Sequence, residues 1–237
     1  MNTIYHDRSR SVLEISGADR FSFLQKLITQ DLRLLETQRS IYSALLSPTG
    51  RYLFDFFVTQ QNDSFLIISQ NTENLLKKLL FYKLRSNIKI TLLEFQVLWS
   101  FEKETMLFQD PRHPTLGWWG VGEIEAEDTM EPYLDLRYQL AIPDSEDLEV
   151  EKSIILEWNF EKLKGISFDK GCYIGQELMS RTRYTGALRK KLVSISAADL
   201  AYFSEDAEEK IGTIKKIYKN TALALIYIDK EYLLKTK

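Results

Sequence analysis

The hydrophobic and polar positions of this chain follow two rhythms. Ser11–Ile15 is short and partly alternating, which predicts a first strand. Ser16-Gly17-Ala18-Asp19 reads as a helix start with Ser16 or Asp19 as cap. Phe21, Leu24, Leu27, Ile28, Leu32 and Leu35 follow at helical spacing, so one face of that helix packs inward. Tyr42–Leu46 is an apolar run stopped by Ser47-Pro48-Thr49-Gly50, a turn set by its proline and glycine. Tyr52–Val58 and Phe65–Ser69 predict two more strands, with a turn across Gln60–Ser64 and a hairpin around a four-residue turn. A second helix, capped by Asn71 or Thr72, is predicted to about Arg85 from Leu75, Leu76, Leu79, Leu80 and Leu84. Ile88, Ile90 and Leu92 alternate, as do Val97, Trp99 and Phe101.

Strands and helices mix here without regular βα alternation, which predicts an α+β fold rather than a parallel α/β sheet. Asp110–Gly122 is rich in proline and glycine and reads as a loop, and its glycines lack the spacing of a dinucleotide fingerprint. Leu134–Ala141 reads as a strand stopped by Pro143, and Glu146–Lys152 as a short helix. After residue 189 the character changes. Leu192–Ile195, Gly212–Tyr218 and Leu223–Ile228 read as strands, with a charged turn over Glu205–Lys210. The division expected is therefore residues 1–189 as one region and 190–237 as a small all-β domain.

Composition narrows the class. With 237 residues, 44% of them hydrophobic, the chain is long enough to bury a sizeable core. Its net charge of −3 gives no global pull towards nucleic acid or an anionic membrane, so neither is an expected partner. The first residues do not read as a signal peptide, and one cysteine suits a reducing compartment, so a cytoplasmic protein is expected. Charge is nonetheless uneven. Residues 123–151 carry eleven acids and one base, whereas residues 161–191 carry eight bases and three acids. The basic stretch favours an anionic ligand nearby.

Within that stretch lies Lys170-Gly171-Cys172-Tyr173-Ile174-Gly175-Gln176-Glu177. Two glycines around a cysteine suggest a tight turn that presents the thiol, with a helix starting near Gly175. Cations nearby would favour the thiolate, and Lys170, Arg181 and Arg183 are candidates. Most free cysteines are instead small buried hydrophobes, and that alternative stands on composition alone. The longer run Gly165–Glu177, with Arg181 and Gly186, resembles the signature of the YgfZ family. Ile15–Asp19 with Phe23-Leu24-Gln25, Leu46–Arg51 with Asp55, Asp110-Pro111-Arg112 with Leu116-Gly117, and Arg137, Ile142-Pro143 and Glu157–Phe160 extend the resemblance over most of the chain. Trp119 and Tyr227 stand where the family often has arginine, and the tail after Leu192 is shorter than usual.

The resemblance implies a folate-binding fold like that of the glycine-cleavage T-protein, with mixed and antiparallel sheets, helices and a reduced C-terminal β-barrel-like domain. It implies tetrahydrofolate or a derivative as cofactor, and iron–sulfur assembly proteins or client iron–sulfur enzymes as partners. Asp55 is the implied contact to the pterin ring, whose N–H donors suit a carboxylate. Arg51 and Arg137 are candidate clamps for a folate carboxylate, Tyr173 for stacking, and Asn159 and Glu177 for further contacts. Each also has a plainer reading: a hairpin-end charge for Arg51, neutralisation of the acidic run for Arg137, core for Tyr173, a turn for Asn159 and a helix-dipole complement for Glu177. Two histidines and one cysteine give weak support for any metal centre. The leading expectation is a folate-binding accessory protein of iron–sulfur cluster assembly or repair, with Cys172 reactive. A folate-dependent aminomethyl or one-carbon transferase is the alternative, and a binding module in which Cys172 only packs is a third.

Overall fold

The computed structural model describes residues 3–203 and 211–234. Its centre is a five-stranded antiparallel sheet of β2 (Ser11–Ser16), β3 (Ser40–Leu46), β4 (Tyr52–Gln61), β5 (Ser64–Ser69) and β6 (Lys89–Leu93), in the order β3-β4-β5-β2-β6. A second sheet joins β1 (Tyr5–His6), β7 (Gln96–Ser100), β9 (Trp118–Gly122) and β8 (Phe108–Gln109). A third orders β10 (Lys190–Ser196), β12 (Thr221–Tyr227) and β11 (Gly212–Tyr218). Among the described residues four α-helices complete the fold: α1 (Arg20–Gln25), α2 (Thr72–Lys83), α3 (Glu131–Gln139) and α4 (Gln176–Tyr184). The class is α+β.

The central sheet is covered on both faces. On one face Phe23 and Leu24 of α1 and Leu75 and Leu79 of α2 pack on Leu13, Ile15, Phe56 and Val58. On the other, Tyr42, Phe57 and Ile68 meet Trp99 and Trp119 of the second sheet, Tyr133 and Tyr138 of α3, and Trp158 and Phe160. Leu192, Leu223 and Leu225 of the third sheet join this same core. Because both faces of β4 are covered, no position in its middle can turn outward, whatever its polarity.

Several predicted elements differ from those observed. The helical spacing over 21–35 is interrupted after α1, and a 3-10 turn, Leu32–Glu36, follows separately. Gln25 breaks the helix: its amide donates to Asp31 and accepts from the Leu32 N–H, while the Thr29 N–H turns to the Ala44 carbonyl. The loop expected over Asp110–Gly122 contains β9, an inner strand of the second sheet. Its glycines permit close packing: a Cβ on Gly120 would lie 2.5 Å from Leu107 Cδ2, and one on Gly117, at φ +81°, 2.4 Å from the Ser100 carbonyl. The strand expected over Leu134–Ala141 is instead α3, with Pro132 in its first turn. Its buried face is Tyr133, Arg137 and Tyr138, and a charged residue on that face hides the helical period. The expected helix at Glu146–Lys152 is reduced to a 3-10 turn, Ser145–Asp147. The expected turn at Glu205–Lys210 lies outside the described residues.

Candidate functional site

Asp55 sits in mid-β4, flanked by apolar residues and paired with Ala44 of β3. It is 1% exposed. A buried carboxylate requires donors, and three hydroxyls supply them: Tyr42 Oη at 2.8 Å, Tyr52 Oη at 2.7 Å and Ser145 Oγ at 2.5 Å. Burial and the nearby Asp55 charge push both tyrosine hydroxyls well above their usual pKa, so they act as donors. Neither tyrosine nor Ser145 stands out in the sequence. The available signal was the pairing of two apolar strands that each carry a tyrosine close to Asp55.

Ser145 belongs to the turn after α3, and its neighbours hold a larger buried charge cluster. Asp144 accepts from Arg10 at 2.7 Å, Arg112 at 3.0 Å and the Tyr133 hydroxyl at 3.0 Å. Burial alone would raise the Asp144 pKa, but Arg10, Arg137 and Arg112 overcome it and keep the carboxyl well below the usual range. Arg112 also pairs with Asp110 at 2.8 Å and lies over the Phe57 ring at 4.7 Å. Trp119, which takes the place of an arginine often found in the resembled family, is fully buried and donates its indole N–H to Asp110 at 2.8 Å. It supplies a donor without adding a further charge.

Arg137 is fully buried, and its guanidinium binds Asp147 at 2.7 Å and Glu146 at 2.8 Å, with Asp144 at 3.5 Å. A clamp for a ligand carboxylate needs a guanidinium facing a cleft, so the expected role of Arg137 is corrected to that of an internal anchor. Asp55 and Arg137 do converge, because both grip the Asp144–Asp147 turn. Around Asp55 the space is closed by Ser145 and the two tyrosines. A pterin would reach Asp55 only where the Ser145 hydroxyl gave way.

The remaining nominated residues lie apart from this hub. Arg51 is half-buried and donates to the Lys152 carbonyl at 2.9 Å. Asn159, at φ +64°, donates to the Leu192 carbonyl at 2.9 Å and so ties its turn to β10. Tyr173 is buried beside Lys170, with its hydroxyl lacking a partner among the described residues. Glu177 is exposed in the first turn of α4.

The cysteine loop is built by anchors on either side of an exposed thiol. Lys170 is buried and donates to the carbonyls of Ile28 at 2.8 Å and Gln30 at 2.9 Å. Burial pushes its pKa down to about 8. Beyond Cys172, the Ile174 N–H donates to the Lys26 carbonyl at 3.2 Å. Gly175, at φ +82°, starts α4, and a Cβ there would lie 2.7 Å from the Ser47 carbonyl and 2.9 Å from Gly50. Only glycine fits that place. Gly171 needs no such explanation, since a Cβ there would meet nothing within 4 Å. Gln176 is half-buried at the start of α4. Cys172 is exposed between these anchors, one short step before α4 rather than at its N-terminus. The cations expected to serve the thiol are directed elsewhere. Lys170 faces carbonyls, and Arg183 pairs with Glu161 at 2.8 Å and lies over Phe168 at 4.2 Å. Arg181 is exposed and lines a cleft of about 340 Å³ with Ile154, Glu157 and Leu178. Among the described residues no group of three or more His, Cys, Asp or Glu is placed to hold a metal ion.

The fold recurs in a solved structure. The glycine cleavage system aminomethyltransferase T from Bartonella henselae matches with a TM-score of 0.71 at 14% identity, over 96% of this chain and 78% of that one. The protein thus has the aminomethyltransferase T fold. No family model matches the chain. Among curated proteins, the iron–sulfur cluster assembly factor IBA57 homologue of Mycosarcoma maydis is 30% identical over 222 residues, covering 79% of this chain and 55% of that protein. IBA57 of Mus musculus is 28% identical over 235 residues, covering 81% of this chain and 66% of that protein.

The chain is similar to iron–sulfur cluster assembly factors.

It spans 55–66% of the length of these first IBA57 relatives. Both the fungal and the mouse IBA57 proteins are named as mitochondrial, which corrects the cytoplasmic expectation drawn from the sequence.

Proposed function

We propose that this chain is an accessory factor of iron–sulfur cluster assembly or repair, of the YgfZ and IBA57 kind, and that Cys172 is its reactive group. The observation that carries the reading is an exposed thiol fixed between two backbone anchors, Lys170 on Ile28 and Gln30 and Ile174 on Lys26. A thiol so presented is accessible to a partner, while its loop keeps one position. One cysteine supplies one ligand to a cluster iron, so the cluster is cargo whose other ligands come from partner proteins. Residues 1–189 form the main body in this reading, and residues 190–237 a small C-terminal β unit. The test is complementation of cells lacking their own IBA57-type factor, read as the activity of iron–sulfur enzymes. Wild type restores it, and Cys172→Ala and Cys172→Ser do not. Full rescue by Cys172→Ala would end the proposal for this thiol.

Folate is the second part of the reading. It is supported by the aminomethyltransferase T fold and by the resemblance at Asp55, and it requires the Ser145–Asp55 contact to open. Calorimetry with tetrahydrofolate tests it: Ser145→Ala binds at least as well as wild type, and Asp55→Ala binds more weakly. The transferase alternative differs in one measurable respect, turnover of a lipoyl-bound aminomethyl donor, which an accessory factor lacks.

A further inference from the structure

The end of α2 carries an unusual pairing of exposed apolar and unpaired basic residues. Leu80 is 49% exposed, Phe81 70% and Leu84 88%. Large apolar side chains left standing in water at one helix end mark a contact surface. Leu84 caps the helix at φ +43°. A mainly apolar cleft of about 380 Å³ runs between α2 and β4, lined by Leu53, Phe54, Asn74, Lys77, Lys78 and Phe81.

Between Glu73 and Glu94 the charge along the chain has one sign. From Leu75 to Leu93 the sequence contains Lys77, Lys78, Lys83, Arg85 and Lys89 and no acid. Among the described residues none of these five forms an ion pair with an acid, and Lys78 lies over the Phe81 and Tyr82 rings at 5.6 and 5.5 Å. The overall charge of −3 conceals this local cluster. Two kinds of occupant have the complementary chemistry, an acidic protein and an anionic lipid surface. Lysine is depleted in protein–protein interfaces, and four of these five bases are lysine. Long lysine stems beside protruding Phe and Leu suit a headgroup layer, where the ammonium stays with phosphate while the apolar groups enter the acyl boundary. No helix among the described residues is long and apolar enough to cross a membrane.

We propose that the α2 end is a peripheral docking site for an anionic phospholipid bilayer, with Phe81 and Leu84 inserting and Lys77, Lys78 and Lys83 meeting phosphates. The test is co-sedimentation of the full chain with vesicles of phosphatidylcholine alone and of phosphatidylcholine with phosphatidylglycerol. Binding is expected on the anionic vesicles, weakening as salt rises, with little on the neutral ones. Phe81→Ser with Leu84→Asn should lower partition about tenfold or more. Both side chains are exposed, so the substitutions remove no core packing and the fold is retained. Lys77→Gln with Lys78→Gln should reduce the salt-sensitive part of binding. Equal binding to both vesicle types, absence of binding at low salt, or wild-type partition of the Phe81/Leu84 variant would each overturn the proposal. Retention on immobilised polyglutamate without vesicle binding would assign the patch to an acidic protein and overturn it as well.

Discussion

Two regions of this protein gather polar chemistry around cations, and they use it in opposite ways. At the hub, Arg10, Arg112 and Arg137 are all within 4% of complete burial and face Asp7, Asp110, Asp144 and Asp147. In the cysteine loop, one lysine is buried against carbonyls while the thiol beside it is exposed. At the hub every charge is committed to another charge, which fixes how the second sheet, α3 and β4 meet. In the loop the committed group is the anchor, and the thiol is left exposed. Removing a hub residue should therefore damage the fold, and removing the thiol should damage only what the thiol does.

The largest expected effect is at Arg112. Arg112→Met leaves Asp110 and Asp144 short of their buried partner and should cost about 3–5 kcal/mol in unfolding free energy by denaturant titration. A cost below about 1 kcal/mol, the usual worth of an exposed pair, would remove the hub from its structural role. Next is Asp55→Ala, which strands the Tyr42 and Tyr52 hydroxyls in the core and should cost about 1–3 kcal/mol by the same titration. If the variant is as stable as wild type, water or a ligand must reach those hydroxyls.

Lys170 gives a pH test. Burial lowers its folded pKa to about 8, below the usual 10.5 of a lysine. Between these values the unfolded chain binds the proton that the folded chain has released, so stability rises with pH across that window. Below pH 8 the burial penalty acts in full. Measured against Lys170→Met, wild type should gain stability from pH 8 to 10.5, and a flat difference would place the ammonium in water. The smallest stability effect belongs to Cys172→Ala, at most about 0.5 kcal/mol, as for an exposed site away from packing. Its thiol should react with an alkylating reagent in the native protein. Reaction only after unfolding, or a loss of stability like that at Arg112, would erase the contrast between the two regions.

The strands of the central sheet, α2, the start of α4 at Gly175 and the three C-terminal strands were legible because periodicity and turn residues are local properties. The cysteine loop was legible for the same reason, as a dense run of glycine, lysine and cysteine. What the sequence concealed follows a pattern. β9 was masked by glycines that serve close packing, and α3 by an arginine on its buried face. Asp55 is a lone carboxylate in an apolar strand, and its burial follows only because both faces of β4 are covered. Arg137 read either as a clamp or as the neutraliser of the acidic run, and the second holds because Asp144, Glu146 and Asp147 meet it only when α3 folds back on the turn that follows it. Short-range order was determined by the residues themselves, through backbone freedom and side-chain periodicity. Which charges are neutralised, and which polar groups remain available, was decided by tertiary structure, because burial and pairing depend on segments as far apart in the chain as Arg10 and Asp144.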